Sequence, residues 1–344
     1  MNSTSSLRGF ENKRLNHIDV AKGLGIILTV IGHTLVFSGF VETKAFATIY
    51  AFHMPFFFFL SGYLYKRKAA TAYLSGKVKS LLFPFLLYQS LNIVLYFITW
   101  CIRRTIFYDK IKFGGFWFIL TLLFISVMHY IIDTIISRSK VKESIKIILL
   151  MVIGFAFLGF GLIYSKSISD QPNQPIATAF VGYFFYELGF VYKTAVSKIR
   201  TNTQNGGRVC ALIIGMGLLT LLYFTSKINI CTVDMNTSRY GISYIFVFQA
   251  LMGIAGLYLV SWAIQKNRII QFFGRNSLVI LLIHIPISKS LPTICRFFAL
   301  SNIVTFMINT VLSIAISAFA VWLFNKYIPI FTGRFNWELS GDKI

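Results

Sequence analysis

The chain has 344 residues, of which 56% are hydrophobic and only 13% are charged. A soluble globular protein carries about 25% charged residues, so this composition excludes a water-soluble domain. The net charge of +22 is typical of nucleic-acid binding in soluble proteins. Here, however, the basic residues stand in short loops beside apolar runs, where they meet anionic lipid headgroups, so we expect a lipid bilayer as partner and no nucleic acid.

Apolar runs of roughly 18 to 25 residues fill most of the chain, and each can cross about 30 Å of hydrocarbon as a helix. They predict spans at about 20–40, 46–65, 80–101, 116–136, 146–164, 176–192, 209–225, 241–264, 277–294 and 303–325. The predicted fold class is all-α, a polytopic membrane helical bundle of about ten transmembrane helices. Because the gaps are short, we expect a single membrane domain over residues 1–344, with short cytoplasmic tails at about 1–18 and 327–344.

The distribution of basic residues predicts the orientation of the bundle. An even number of spans places both termini on one side of the membrane. Of the 33 Lys and Arg residues, 22 flank that side and 10 flank the other. Since positive charge is enriched on the cytoplasmic side, both termini are expected in the cytoplasm, with the chain a multi-pass protein of the inner (plasma) membrane.

The first predicted span contains polar residues at a spacing that suits a long anionic ligand. Asp19 and Lys22 lie at its cytoplasmic start, and His33 follows Lys22 by eleven residues, about 16 Å along a helix and on roughly the same face. Ionisable residues inside a span are candidate functional sites by default. The alternatives are that His33 hydrogen-bonds a neighbouring helix, that Asp19 caps the helix start and that Lys22 anchors orientation.

Two later spans repeat this arrangement. His53 lies in the second span, two residues before Pro55, at a depth predicted to be near mid-membrane. In the ninth span, His284 lies about 15 Å inward of a polar start formed by Arg275 and Asn276. The repetition favours a function for the three histidines, but periodicity alone does not show that they meet.

Two other residues are candidates for binding an acceptor. Trp117 is predicted near the outer surface, either as part of the aromatic belt or in an acceptor site. Glu187 falls inside the sixth span, and a buried carboxylate requires a partner that the sequence does not name. The four cysteines show no metal-binding spacing, so no metal is expected. Nucleotide-binding and protease motifs are also missing, which leaves ATP-driven transport and proteolysis without support.

Four segments, taken in order, resemble the acyltransferase family 3 membrane proteins: DVAKGLGIILTVIGH, FHMPFFFFLSGYLYK, GGFWFILTLLF and GRNSLVILLIHIPI. They are most similar to its fucose 4-O-acetylase-like branch, which includes O-antigen and other surface-polysaccharide O-acetylases. The resemblance covers roughly residues 14 to 325. Lys22 and His33 match the family's basic residue, ten intervening residues and histidine. Lysine stands where arginine is common in other branches of the family. Lysine keeps the positive charge but lacks the planar guanidinium that donates two hydrogen bonds to one phosphate.

The resemblance implies a membrane O-acyltransferase whose donor is cytosolic acetyl-CoA or another acyl-CoA. The implied acceptor is a sugar hydroxyl of a surface polysaccharide or lipid-linked glycan in the cell envelope. It implies that His33 is the central catalytic residue, and we expect it to act as general base. The site residues that we predict are His33, His53 and Asp19 for catalysis, Lys22, Arg275, Asn276 and His284 for the acyl-CoA, and Trp117 and Glu187 for the acceptor.

Two other functions remain open from the residues alone. A transporter or flippase for a lipid-linked glycan also carries ionisable residues within its spans, but it needs no acyl-CoA and leaves the mass of the glycan unchanged. A membrane sensor or scaffold belonging to a larger enzyme is the third possibility. The absence of a soluble catalytic domain argues against it.

Overall fold

The computed structural model describes residues 15–103, 117–139, 141–168, 174–197 and 205–332. Within these ranges the chain is helical and has no β-strand, apart from an isolated bridge between Asp234 and Arg239. Most of the two predicted tails and the loop residues Arg104, Lys110 and Lys112 lie outside the described residues. The helices are α1 (Asn16–Phe37), α2 (Lys44–Tyr63), α3 (Ala70–Lys77), α4 (Phe83–Arg103), α5 (Trp117–Arg138), α6 (Glu143–Ser167), α7 (Pro175–Ser197), α8 (Asn205–Thr225), α9 (Ser243–Ile264), α10 (Arg268–Arg275), α11 (Ser277–Phe297) and α12 (Asn302–Tyr327).

The long helices coincide with the predicted spans. Among the described residues, eight helices are long and apolar enough to cross a membrane, namely α1, α2, α5, α6, α8, α9, α11 and α12. The other two predicted spans are occupied by α4 and α7, with 21 and 23 residues. The prediction of an all-α membrane bundle is therefore confirmed. The short helices α3 and α10, of eight residues each, were not among the predicted spans.

The second helix lies in the core of the bundle. It packs against α1, α7 and α9, and its phenylalanines Phe56 and Phe58 are fully buried. Lipid tails are as apolar as these side chains, so close van der Waals packing, and not exclusion from water, must hold the helices together. The aromatic residues of α2 therefore pack between the neighbouring helices.

Two glycines allow α2 and α7 to approach each other closely. A Cβ atom placed at Gly62 would collide with the backbone carbonyl oxygen of Tyr186, and one placed at Gly189 would collide with the carbonyl oxygen of Phe59. Small residues at helix contacts are typical of membrane bundles because they bring the backbones together.

We expect Gly62→Ala to destabilise the bundle. The added methyl group forces α2 and α7 apart, and overpacking of this kind costs about 1–3 kcal/mol. The unfolding temperature of the detergent-purified protein measures the effect. Gly159→Ala is the matched control, because a Cβ at Gly159 in α6 meets nothing within 4 Å. Equal unfolding temperatures for the two variants would contradict this account of the α2–α7 contact.

The two ends of the bundle differ in character. At the end where α1 begins and α2 ends, which we call the basic end, lie Lys22, Lys66 and Lys77. At the opposite end α1 finishes, α2 begins and the segment 226–242 joins α8 to α9. That segment contacts the start of α2, because Ser226 Oγ donates to the carbonyl oxygen of Lys44 at 3.4 Å. A ligand that reaches the middle of the bundle from the basic end therefore meets lysines first.

Candidate active site

The three histidines of the predicted spans lie close together in the interior. The rings of His33 and His284 are 5.0 Å apart between centroids. Tyr50 joins His53 to this pair: its ring centroid is 4.9 Å from that of His53, and its hydroxyl is 3.5 Å from Nδ1 of His33. The residues His33, Tyr50, His53 and His284 form what we call the histidine cluster.

Backbone hydrogen bonds fix the tautomers of two of these rings. Nδ1 of His53 lies 2.9 Å from the carbonyl oxygen of Ile49, and Nδ1 of His284 lies 2.8 Å from that of Ile280. A carbonyl oxygen only accepts, so each Nδ1 must carry the proton and each neutral ring presents Nε2 as an acceptor. Nε2 of His284 is buried and has no hydrogen-bond partner among the described residues.

Exposure distinguishes His33 from the other two histidines. His53 is 4% exposed and His284 is fully buried, whereas His33 is only half-buried. His33 is thus the most exposed of the three histidines, while His53 and His284 lie within the packing. Across the described residues, no group of three His, Cys, Asp or Glu side chains is arranged to hold a metal ion.

A cavity of about 420 Å³ opens at the basic end, and we call it the lysine cavity. Its size falls within the range of small-molecule sites. Its basic residues are Lys22 of α1, Lys66 and Lys68 of the segment after α2, and Lys77 of α3. Four ammonium groups around one cavity are suited to phosphates, which they contact through charge-assisted hydrogen bonds.

The apolar wall of the lysine cavity approaches the histidine cluster. It includes Phe57 of α2 and Leu281 of α11. Phe57 lies four residues from His53, and Leu281 lies three residues from His284, which is within about one helical turn in each case. The cavity therefore combines cations at the basic end with an apolar wall that leads towards the imidazoles.

The cations of the lysine cavity affect each other. Burial, followed by the nearby charge of Lys22, lowers the pKa of Lys77 to about 8. The charged form of Lys77 is thus disfavoured while the cavity lacks an anion, and an anionic ligand would relieve the repulsion.

The structure places the predicted residues Asp19, Arg275 and Asn276 in contacts between helices. Nε of Arg275 donates to Oδ2 of Asp19 at 3.2 Å, which ties α10 to α1. Oδ1 of Asn276 accepts from Nδ2 of Asn325 on α12 at 3.3 Å. Asp19 precedes His33 by fourteen residues, about 21 Å along the helix, so Asp19 does not belong to the histidine cluster.

The two predicted acceptor residues lie on α5 and α7. Trp117 begins α5 beside Phe118, whose ring centroid is 5.1 Å from that of Phe58. Thr121, one turn later in α5, donates from Oγ1 to the carbonyl oxygen of Pro175 at the start of α7, so the start of α5 lies towards the end opposite the basic end. Glu187 is fully buried, and its Oε2 accepts from Nδ1 of His129 at 2.9 Å. His129 is the partner that the sequence did not name.

Several site residues were not selected by the sequence reasoning. Tyr50 lies three residues before His53 and therefore on the same face of α2, which is a signal that could have identified it. Lys66, Lys68 and Lys77 entered the sequence argument only as markers of orientation. Their convergence depends on the turn after α2 and on the short helix α3, which no hydropathy pattern reveals.

Comparisons with known proteins place this geometry in context. Residues 15–323 match the family Acyl_transf_3, described as an acyltransferase domain. The nodulation protein NolL of Mesorhizobium japonicum is 38% identical over 93 residues, which make up 24% of this chain and 25% of NolL. The chain thus matches about a quarter of that relative's length. No solved structure matches the chain.

Proposed function

The chain belongs to the Acyl_transf_3 family of acyltransferases, and from that premise we propose that it transfers an acyl group, most simply acetyl, from acyl-CoA to a sugar hydroxyl. The observation that carries the proposal is the contact between His33 and His284, about one helical turn beyond the apolar wall of the lysine cavity. The cavity supplies cations for the phosphates of CoA. The histidine cluster supplies a base for the chemistry of the thioester.

The proposed reaction is a direct acyl transfer. His33 takes the proton of the acceptor hydroxyl, whose oxygen attacks the thioester carbonyl carbon. The carbon–sulfur bond then breaks, and His33 returns the proton to the departing thiolate of CoA. The sugar ester and free CoA are the products, so atoms and charge balance without an additional reactant.

The tautomers favour separate roles for the other members of the cluster. Neutral His284 presents Nε2 only as an acceptor, so this nitrogen cannot donate to the oxyanion that forms on the thioester carbonyl. It can instead accept a hydrogen bond from an N–H group of His33 and orient that ring. The hydroxyl of Tyr50, next to His33 Nδ1, is a donor suited to the oxyanion.

The arrangement also suggests an orientation in the membrane. Acyl-CoA is made in the cytoplasm, and the lysine cavity lies on the side that carries the majority of Lys and Arg residues. We therefore place the basic end, and both termini, in the cytoplasm of a cell whose plasma membrane holds the protein. The acceptor is a surface polysaccharide or a lipid-linked sugar.

Binding of the donor is expected to weaken as pH rises through about 8. Below this pH Lys77 is protonated and attracts phosphate, and above it the amine is neutral. Bound phosphate raises the pKa of Lys77, so binding takes up a proton near pH 8.

The measurement is the Kd for CoA between about pH 7 and about pH 9, and we expect this Kd to rise by up to about tenfold. In Lys77→Arg the Kd should stay level, because a guanidinium remains charged throughout. A Kd that is independent of pH in the wild type would contradict the role of Lys77.

Mass spectrometry of the host's surface glycans tests the proposed function in the cell. We expect cells that lack the gene, or that carry His33→Ala, to lose the mass of one acyl group at each modified sugar. Unchanged glycan masses in a deletion strain, with normal export, would exclude this class of acceptor. Failed export of an otherwise unmodified glycan would identify a flippase instead.

A further inference from the structure

A second group of buried polar residues lies between α5 and α7, and the proposed reaction does not use it. Nδ1 of His129 and Oε2 of Glu187 are 2.9 Å apart, and both side chains are fully buried. Removing one partner of such a pair is costly because the other is left uncompensated. The pair therefore holds the ring of His129 in one orientation.

Tyr65 connects this group to the lysine cavity. Its hydroxyl donates to Oδ2 of Asp133 at 2.9 Å, and its ring meets that of His129 edge-on with centroids 4.4 Å apart. Tyr65 also lines the lysine cavity. Burial, and then the carboxylate of Asp133, raise the pKa of Tyr65 above its ordinary value, so the hydroxyl stays protonated and remains a donor. Asp133 in turn pairs with Lys146 of α6 at 2.6 Å.

The same two helices hold the backbone of the segment that follows Tyr65. Nζ of Lys193 on α7 donates to the carbonyl oxygen of Tyr65 at 2.8 Å, and the hydroxyl of Tyr130 on α5 donates to the carbonyl oxygen of Lys68 at 3.2 Å. These bonds fix the backbone of the segment and leave the side chain of Lys68 at the cavity.

The short helix α3 is attached to α5 in a similar way. The hydroxyl of Tyr73 donates to the carbonyl oxygen of Ser126 at 3.0 Å, and its ring stacks on that of Tyr130 with centroids 4.5 Å apart. The ammonium of Lys77 lies over the same Tyr73 ring, 5.5 Å from its centroid. Residues 65–77 thus form one strap, which we call the lysine strap, held by α5 and α7.

The lysine strap requires such support because its charges repel. Lys66, Lys68 and Lys77 share one cavity with Lys22. Lys22 and Lys77 are half-buried, so the repulsion between their like charges is screened less than that of the exposed Lys66 and Lys68. Without external contacts, an eight-residue helix of low hydrophobicity would not keep its place. The contacts on the other side of the strap come from residues that do not line the cavity, namely Ser126, His129, Tyr130, Asp133 and Lys193. Glu187 acts one step further away, through its pair with His129.

We propose that His129, Glu187 and Asp133 are positioning residues, which act through Tyr65 to hold the lysine strap in the geometry that binds the phosphates of the acyl donor. This inference rests on the proposed function, because it presumes that the lysine cavity takes acyl-CoA. It assigns Glu187 a role on the donor side of the protein, in place of the acceptor role that the sequence suggested.

Tyr65→Phe tests the proposal by removing one hydroxyl while leaving the ring that lines the cavity. The measurement is the Kd for CoA with the full-length protein in detergent, at about 0.05 M and about 0.5 M NaCl, where ionic screening differs strongly. We expect Tyr65→Phe to raise the Kd at low salt by about tenfold, as for the loss of a hydrogen bond to a charged group. We also expect a flatter salt dependence than in the wild type, because fewer ammonium groups then meet the phosphates.

Two further variants separate positioning from a general loss of structure. Glu187→Leu removes the partner of His129 and should reproduce the effect of Tyr65→Phe, whereas Glu187→Gln keeps an acceptor oxygen and should restore most of the binding. If folded Tyr65→Phe and Glu187→Leu bind CoA with the Kd and the salt dependence of the wild type, the positioning role is overturned. If the wild type itself does not bind CoA, the proposed function fails, and this inference falls with it.

Discussion

Replacing His33 with alanine is expected to lower acyl transfer by about 100- to 10,000-fold, the usual contribution of a general base. His33 is the half-buried member of the histidine cluster, and it contacts both the Tyr50 hydroxyl and the His284 ring. The loss should appear in kcat, because His33 does not line the lysine cavity, where we propose that the donor phosphates bind. The measurement is the rate of CoA release with purified protein and an acceptor glycan.

A matched histidine provides the control for this prediction. His17 also lies in α1, but near its start, where its ring meets Tyr63 and Tyr258. His17→Ala is expected to retain the activity of the wild type within a few-fold. If His33→Ala remains folded and keeps more than a tenth of the wild-type rate, His33 is not the base, and the assignment of the histidine cluster is wrong.

The second large effect is expected from reversing a charge in the lysine cavity. Lys22→Glu replaces an attraction for phosphate with a repulsion, and we expect the Kd for CoA to rise by about 100-fold or more. A single charge-assisted hydrogen bond contributes about 1.5–3 kcal/mol to binding. Lys22→Glu loses this free energy and also introduces repulsion between the new carboxylate and the phosphate. Lys22→Arg, which keeps the charge and restores the fork common in the family, should bind CoA about as well as the wild type.

The control for this charge reversal lies at the opposite end of the bundle. Lys227 pairs with Glu42 at 3.7 Å, and both lie away from the lysine cavity. Lys227→Glu changes the net charge by the same amount as Lys22→Glu. If both variants weaken CoA binding equally, the effect comes from the overall charge of the protein, and a phosphate site at Lys22 is excluded.

The fold was predictable because membrane helices obey a simple physical rule. Backbone polar groups must be satisfied within the bilayer, so long apolar runs can form only helices there. The helices α1 and α12 therefore appear close to where hydropathy places them. The cost of polar groups in the bilayer also singled out His33, His53 and His284. An imidazole within an apolar run is costly, so each such residue is a candidate functional site.

The contacts between helices could not be predicted from one sequence. Periodicity indicates which face of a helix is polar, but it does not indicate which other helix that face contacts. The structure was therefore needed to show that His33 contacts His284 and that Glu187 pairs with His129. Asp19 shows the same limit, because the sequence places it near Lys22 but does not identify Arg275, with which its carboxylate pairs. The lysine strap was missed because a short polar segment carries no hydropathy signal.

The most direct test of the account is transfer of isotopically labelled acetyl from acetyl-CoA in proteoliposomes. The acceptor is the glycolipid and glycan extract of cells that lack the gene. We predict that label enters the glycan, that an equal amount of CoA is released, and that both stop in His33→Ala but continue in His17→Ala. If the label remains on CoA while the same protein carries unmodified glycan across the membrane, acyl transfer from CoA is not its function and the account is contradicted.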